Sequence, residues 1–168
     1  MMSSSRLNEL NTKTDILAKE DYNDSNFSWI NCFQQKECTV SFLRKDTNEE
    51  GSLLVAANFA NDEKPEFMIG VPYEGKYELI FDTNEEAFGG SKKLSKEAIF
   101  TEESGWDGYA QKINVSLSPL SVSVYRYIPF TEEEIYAIAE KKAAVIREEI
   151  MAQAKEKVEL LKKIRGIK

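Results

Sequence analysis

The chain has 168 residues, 42% of them hydrophobic, and a formal net charge of -7. This length fits one compact domain with a modest extension. The acidic balance, with a basic cluster only at Lys162, Lys163 and Arg165, argues against a nucleic-acid-binding face. The sequence has no histidine, which excludes Ser-His-Asp and Cys-His nucleophilic sites and His-ligated metals.

The sequence has no run of about 18 apolar residues, so it predicts no membrane span. Its polar start, residues 1–6, lacks the apolar stretch of a secretory signal. The two cysteines, Cys32 and Cys38, are too few for a zinc site or a disulfide-rich secreted scaffold. We therefore expect a cytoplasmic protein with reduced thiols, without a metal or another cofactor.

Residues 1–26 are polar and weakly patterned, and we expect an irregular lead-in there. Between residues 27 and 128, short apolar-alternating segments are separated by turn-forming residues. The predicted strands include 27–32, 39–44, 53–59, 66–71, 76–81, 112–117 and 122–125. Six to eight short strands without intervening helices predict an all-β fold, an antiparallel β-sandwich of Greek-key type. In one of them Ile113, Val115 and Leu117 share a face, as in a strand buried on one side.

A long segment between Asp82 and Ala110 interrupts the strands. It contains Gly89 and Gly90, which suit turns that need a positive φ. Near its end lies the aromatic-rich stretch 105–109. Loops of this length inside a compact domain are usually functional or interfacial.

The last segment, 131–166, predicts one amphipathic α-helix over residues 132–165, about 50 Å long. Thr131 and Glu134 form a capping box, and Gly166 stops the helix. Its apolar residues recur mostly at steps of three and four along one stripe. The stripe comprises Ile135, Ile138, Val145, Ile146, Ile150, Ala154, Val158, Leu161 and Ile164. It must pack on the sandwich, on another chain or on a further part of the protein, and its mixed-charge polar face disfavours a membrane surface.

Several short motifs occur in a characteristic order in the strand region. They are Phe27-Ser28-Trp29-Ile30, Val40-Ser41-Phe42-Leu43-Arg44, Leu54-Val55-Ala56-Ala57-Asn58-Phe59, Ile69-Gly70-Val71-Pro72 with Gly75, Phe88-Gly89-Gly90-Ser91, Trp106-Asp107-Gly108 and Leu117-Ser118-Pro119-Leu120-Ser121. Over about residues 24–127 this set resembles the C-terminal β-domain of 1,4-α-glucan (glycogen) branching enzymes in the α-amylase family. The chain departs from the family pattern at Asp82-Thr83-Asn84, at Ser118 and along 92–104. The helix after residue 130 lies outside the resemblance.

The resemblance implies that the chemistry resides elsewhere. In that family an Asp nucleophile and a Glu acid/base in a (β/α)8 barrel of about 250 residues transfer glucan from α-1,4 to α-1,6 links. A chain of 168 residues has no room for such a barrel, although residues 1–26 suit a remnant of its last helix. We therefore expect a non-catalytic accessory domain without catalytic residues, partnered by a branching-enzyme barrel in cis or in trans.

Two alternatives remain open. One is a free-standing α-glucan-binding module, because sugar rings stack on exposed aromatic faces. The carbohydrate-contact candidates are Trp106, Tyr109, Trp29 and Tyr73. The alternative is that these rings belong to the core or cover the seam to the barrel, and then they would not contact sugar. The other is an interaction protein that self-associates through the C-terminal helix.

Overall fold

The computed structural model describes residues 24–33, 35–46, 49–94 and 97–166, together with Ser5, Asn8, Glu9, Thr12 and Ile16. Most of the lead-in expected at 1–26 therefore lies outside the described residues. The chain divides into two compact units, 1–129 and 130–168, and each is described by itself.

The first unit is a two-sheet sandwich with eight strands among its described residues. They are β1 (Phe27–Asn31), β2 (Thr39–Arg44), β3 (Leu53–Asn58), β4 (Lys64–Val71), β5 (Lys76–Asp82), β6 (Ile99–Phe100), β7 (Gln111–Leu117) and β8 (Ser121–Ile128). A six-stranded sheet has the order β1-β2-β3-β8-β5-β6, and β4 pairs with β7 in a second sheet. All the pairings are antiparallel. Because β8 inserts between β3 and β5 while β4 crosses to the other sheet, the strands do not follow chain order, as in a Greek key. The predicted fold class is confirmed.

The main core lies between the two sheets and follows from the alternation of each strand. Ile113, Val115 and Leu117 are buried as predicted, while Asn114 between them is exposed. Ile69 lies directly opposite Ile113 across the β4–β7 pair. Facing them from the six-stranded sheet are Leu43, Leu54, Ala56, Tyr77, Tyr125 and Tyr127. Full burial of the Ile, Val and Leu side chains among them contributes roughly 1.5–3 kcal/mol each.

A buried ion pair holds the loop that follows β5. The Asp82 carboxylate is fully buried, and the Lys92 ammonium lies 3.0 Å from its Oδ2. Ser123 Oγ and the backbone N–H of Asn84 also donate to this carboxylate, each at 2.8 Å. Lys92 Nζ donates in addition to the carbonyl of Ser116. Gly89, at φ 88°, ends the 3-10 turn over Glu86–Phe88, which confirms the predicted glycine turn.

The second unit is one helix, α1 (Glu132–Arg165), and its predicted signals are confirmed. The Thr131 hydroxyl accepts a bond from the Glu134 N–H, and the Glu134 carboxylate accepts one from the Thr131 N–H. Gly166 ends the helix in the left-handed conformation at φ 64°. Within the described residues, no helix is long and apolar enough to cross a membrane.

Candidate functional site

The outer face of the six-stranded sheet carries an apolar row that crosses five strands. Trp29 of β1 pairs with Phe42 of β2, Phe42 with Val55 of β3, and Val55 with Val124 of β8. Val124 also pairs with Phe81 of β5. These five residues are called the outer row below. An antiparallel sheet in water normally places polar side chains on its second face, so an apolar row here is a candidate contact surface.

One end of the outer row is an open aromatic cluster. The ring of Trp29 lies edge-on to Phe27 at 5.0 Å and to Phe42 at 5.8 Å between centroids. Trp29 is 54% exposed, although its neighbours are half-buried. Edge-on aromatic pairs of this kind are favourable, so Trp29 packs against Phe27 and Phe42 while the rest of its surface stays open.

The other end of the row is covered. Phe81 and Val124 are buried with Leu53 in a second small cluster, and Ile16 of the lead-in packs against it. Arg44 Nη2 donates to the Ile16 carbonyl at 3.3 Å. Ile16, which precedes the sandwich in the chain, therefore touches the outer face of the six-stranded sheet.

Trp106 lies at one end of a two-residue hairpin turn whose sequence, Asp107-Gly108, suits its backbone conformation. The N–H of Trp106 donates to the Tyr109 carbonyl at 3.0 Å, and the reverse bond measures 2.8 Å. Asp107 and Gly108 between them have φ 50° and 82°. Two consecutive positive φ values define a type I′ turn, for which Asp-Gly is a favoured sequence.

The side chain of Asp107 anchors this hairpin to the sandwich. Its Oδ2 accepts a bond from the Gly70 N–H of β4 at 3.1 Å, and its Oδ1 accepts one from Asn31 Nδ2 at 2.5 Å. A Cβ on Gly70 would overlap the Trp106 carbonyl oxygen. The hairpin therefore lies directly on β4, and only glycine permits that approach.

A groove of about 410 Å³ lies beside Trp106. Its lining residues come from three separate segments and are Glu37, Lys64, Pro65, Glu66, Phe67, Met68 and Trp106. The Lys64 ammonium is held by Asp62 Oδ2 at 2.8 Å and Glu37 Oε2 at 2.9 Å. Hydrogen bonds to Asp62 and then to Glu37 raise the pKa of Lys64 above its usual value, so this group stays charged at neutral pH.

The two tyrosine candidates occupy a different environment. Tyr73 and Tyr109 are half-buried and pack against the main core. The Tyr73 ring also lies 5.1 Å from that of Tyr127. Burial is the main cause that raises the pKa of the Tyr73 phenol, and the hydroxyl remains protonated at neutral pH.

The four residues singled out in the sequence thus fall into three settings. Trp29 belongs to the outer row, Tyr73 and Tyr109 support the core, and Trp106 lines the groove. Sequence reasoning missed the groove residues Glu37, Lys64, Pro65, Glu66, Phe67 and Met68, because nothing in their local pattern connects them to Trp106. The signal that was available is the Asp-Gly pair, which predicts a hairpin but not its anchor.

The fold and its surfaces define an antiparallel β-sandwich domain with an apolar row on the outer face of its larger sheet. The family described as alpha amylase, C-terminal all-beta domain, matches residues 29–128, and the chain belongs to this family. It is 37% identical over 121 residues to the 1,4-alpha-glucan branching enzyme GlgB of Prochlorococcus marinus (strain MIT 9211), a match that covers 72% of this chain and 16% of the relative.

A second relative gives the same result. The chain is 33% identical over 123 residues to the GlgB branching enzyme of Synechococcus sp. (strain WH7803), covering 73% of this chain and 16% of the relative. The chain therefore spans about a sixth of the length of the curated relatives it matches.

Proposed function

We propose that the chain is a non-catalytic C-terminal accessory domain of a 1,4-α-glucan branching enzyme, which supports α-1,4 to α-1,6 glucan transfer by a separate catalytic barrel. The single observation that carries this proposal is the outer row with its open end at Trp29. The elements with described bounds are those of the sandwich and the helix α1, and a (β/α)8 barrel is not among them. The nucleophile and the acid/base of the reaction would belong to the barrel.

The outer row supports docking because of what surrounds it. At its open end the 54% exposed Trp29 lies beside the half-buried Phe27 and Phe42, and exposed apolar patches mark interaction sites in soluble proteins. Ile16, which precedes the sandwich in the chain, already packs on the same face. In a C-terminal domain the catalytic part also precedes the sandwich, so we propose that it docks on this face. We propose that the domain boundaries are 1–26 as an irregular lead-in, 27–128 as the sandwich and 131–166 as an amphipathic helix, in a cytoplasmic protein.

Substitution of Trp29 by Asp is expected to weaken docking at least tenfold, about 1.4 kcal/mol. The partner is the Prochlorococcus marinus branching enzyme shortened by its own C-terminal domain. Association is measured by titration calorimetry, and branching by the iodine absorbance of amylose. The loss follows because a carboxylate would be buried in an apolar interface. Trp29 is 54% exposed, so the substitution leaves the sandwich folded.

Phe33→Asp is the matched control, since Phe33 is 86% exposed and lies just beyond the end of β1. It is expected to dock like the unchanged chain. Equal docking by Trp29→Asp and the unchanged chain would show that the outer row is not the docking surface.

A second candidate function is assembly through α1, and the exposed apolar residues of the helix favour it. Large apolar side chains are at least 45% exposed along its whole length; they are Ile135, Tyr136, Val145, Ile146, Ile150, Met151, Val158, Leu160, Leu161 and Ile164. At about 100° per residue, Ile135, Ile146, Ile150, Leu161 and Ile164 lie within an arc of about 80°. We propose that a second copy of this chain covers that arc.

The double substitution Ile146→Glu and Ile150→Glu is expected to convert an oligomer into a monomer. Charges would then replace the centre of the arc, whereas Ala144→Glu places a charge on the opposite side of the helix and is expected to leave the oligomer intact. Light scattering over a concentration series gives the mass, because assembly depends on protomer concentration. A monomeric unchanged chain at all concentrations would rule out this candidate.

A further inference from the structure

We propose that the groove beside Trp106 is a binding subsite for a neutral α-glucan chain. The inference rests on the proposed function, because glucan is the substrate of the enzyme to which the domain would belong. The groove is a surface separate from the outer row. Trp106 provides the stacking face and the charged residues at the rim provide hydrogen bonds. The two surfaces can therefore be tested independently.

The stacking face is fixed before any ligand arrives. Trp106 is 38% exposed, while most tryptophans are largely buried. The two backbone bonds to Tyr109 close its hairpin, and Asp107 fastens that hairpin to Gly70 and Asn31. Binding thus does not have to order this loop, which reduces the entropic cost of holding a ligand.

The groove combines apolar walls with polar groups at its rim, which are the two kinds of surface that a sugar contacts. Phe67 and Met68 are half-buried beside Trp106, and such surfaces suit the C–H faces of a pyranose ring. Glu37 and Glu66 stand exposed at the rim. Carboxylates accept hydrogen bonds from hydroxyl donors, and a volume of about 410 Å³ falls in the ordinary range for small-ligand sites.

The charges select a neutral ligand over an anionic one. Lys64 is the cation among the lining residues, and its ammonium is already bound by Glu37 and Asp62. Glu66 adds a further negative charge, so the rim as a whole repels phosphates and carboxylates. A polyhydroxyl ligand avoids this repulsion and uses the same carboxylates as acceptors.

The test uses the full chain with two probes: glycogen in a native affinity gel, and maltoheptaose in a fluorescence titration. The unchanged chain is expected to be retarded by glycogen. Trp106→Ala is expected to weaken binding at least tenfold, whereas Trp106→Phe retains part of it because an aromatic face remains. Phe33→Ala is the matched control, since Phe33 is 86% exposed and belongs to neither surface, and it is expected to leave retardation unchanged. Trp29→Ala tests the outer row as an alternative glucan surface.

Glu37→Ala provides a second variant that does not touch the hairpin. Loss of one hydrogen-bond acceptor is expected to weaken glucan binding by roughly threefold to tenfold. Absence of binding by the unchanged chain would overturn the proposal, and so would full retardation of Trp106→Ala with a native circular dichroism spectrum. Loss of glycogen retardation in Trp29→Ala but not in Trp106→Ala would place the glucan on the outer row instead. Docking to the barrel is measured separately, so failure of this proposal leaves the accessory function untouched.

Discussion

Replacing Lys92 by Met is expected to destabilise the sandwich by about 3 kcal/mol, a large fraction of the stability of an ordinary domain. The change removes the cation that lies 3.0 Å from the fully buried Asp82 carboxylate. Removing one partner of a buried pair typically costs about 3–5 kcal/mol, because the remaining charge is left in a low-dielectric site. The lower end applies here, since Ser123 and the Asn84 N–H still donate to the carboxylate.

Urea unfolding followed by tryptophan fluorescence measures this loss. Both tryptophans of the chain, Trp29 and Trp106, lie in the sandwich, so the signal reports on that unit. Lys93→Met is the matched control: Lys93 is the next residue, 82% exposed and 3.9 Å from Glu86. A long, exposed ion pair contributes little, and the control is expected to keep the urea midpoint of the unchanged chain.

The double variant Asp82→Asn and Lys92→Met tests the mechanism rather than the size of the effect. It removes both charges, so its loss of stability is expected to be smaller than that of Lys92→Met alone. An equal or larger loss would mean that the packing of the Lys92 side chain, and not the unpaired carboxylate, sets the cost.

The parts of the fold that follow from local pattern could be predicted from the sequence. Ile113, Val115 and Leu117 alternate with polar residues and form a buried face of β7. Thr131, Glu134 and Gly166 mark both ends of α1 to the residue. In each case the forces act between residues within four positions of one another or through a strict period, so the linear sequence contains them.

The parts that depend on distant contacts could not be predicted. The segment between Asp82 and Ala110 reads as one long loop, yet it contains the 3-10 turn, the two-residue strand β6 and the Trp106 hairpin. A strand of two residues is too short to show alternation. The pairing of Asp82 with Lys92 and of Asp107 with Gly70 arises only when separate segments fold together.

The candidate site divides in the same way. The sequence identifies Trp106 and Trp29 as candidate contact residues from their residue type. It does not show that one lies in a groove and the other in the outer row. The groove needs Glu37, Lys64 and Phe67, which are brought beside Trp106 by a turn before β2, by β4 and by the hairpin. The close approach of that hairpin to β4 depends on one position, Gly70.

Substitution of Gly70 by Ala is expected to displace the Trp106 hairpin and to cost about 1–3 kcal/mol of stability, the usual range for overpacking. The added Cβ would overlap the Trp106 carbonyl oxygen and lie 2.8 Å from its carbon and 2.9 Å from Asp107 Cβ. Backbone atoms cannot rotate away as a flexible side chain can. The hairpin must therefore move off β4, and the Gly70–Asp107 hydrogen bond at 3.1 Å is weakened with it.

Gly105→Ala is the control on the same hairpin, because its Cβ would meet only the Tyr109 carbonyl oxygen, at 3.4 Å. It is expected to keep the urea midpoint and the fluorescence maximum of the unchanged chain. Gly70→Ala is expected to lower the midpoint and to shift the emission of Trp106 to longer wavelength as that ring gains solvent. A Gly70→Ala chain as stable as the unchanged one, with unaltered emission, would contradict the seating of the hairpin on β4. Since the groove depends on that seating, the same variant is expected to lose glycogen retardation while Gly105→Ala retains it, so that stability and binding report on one contact.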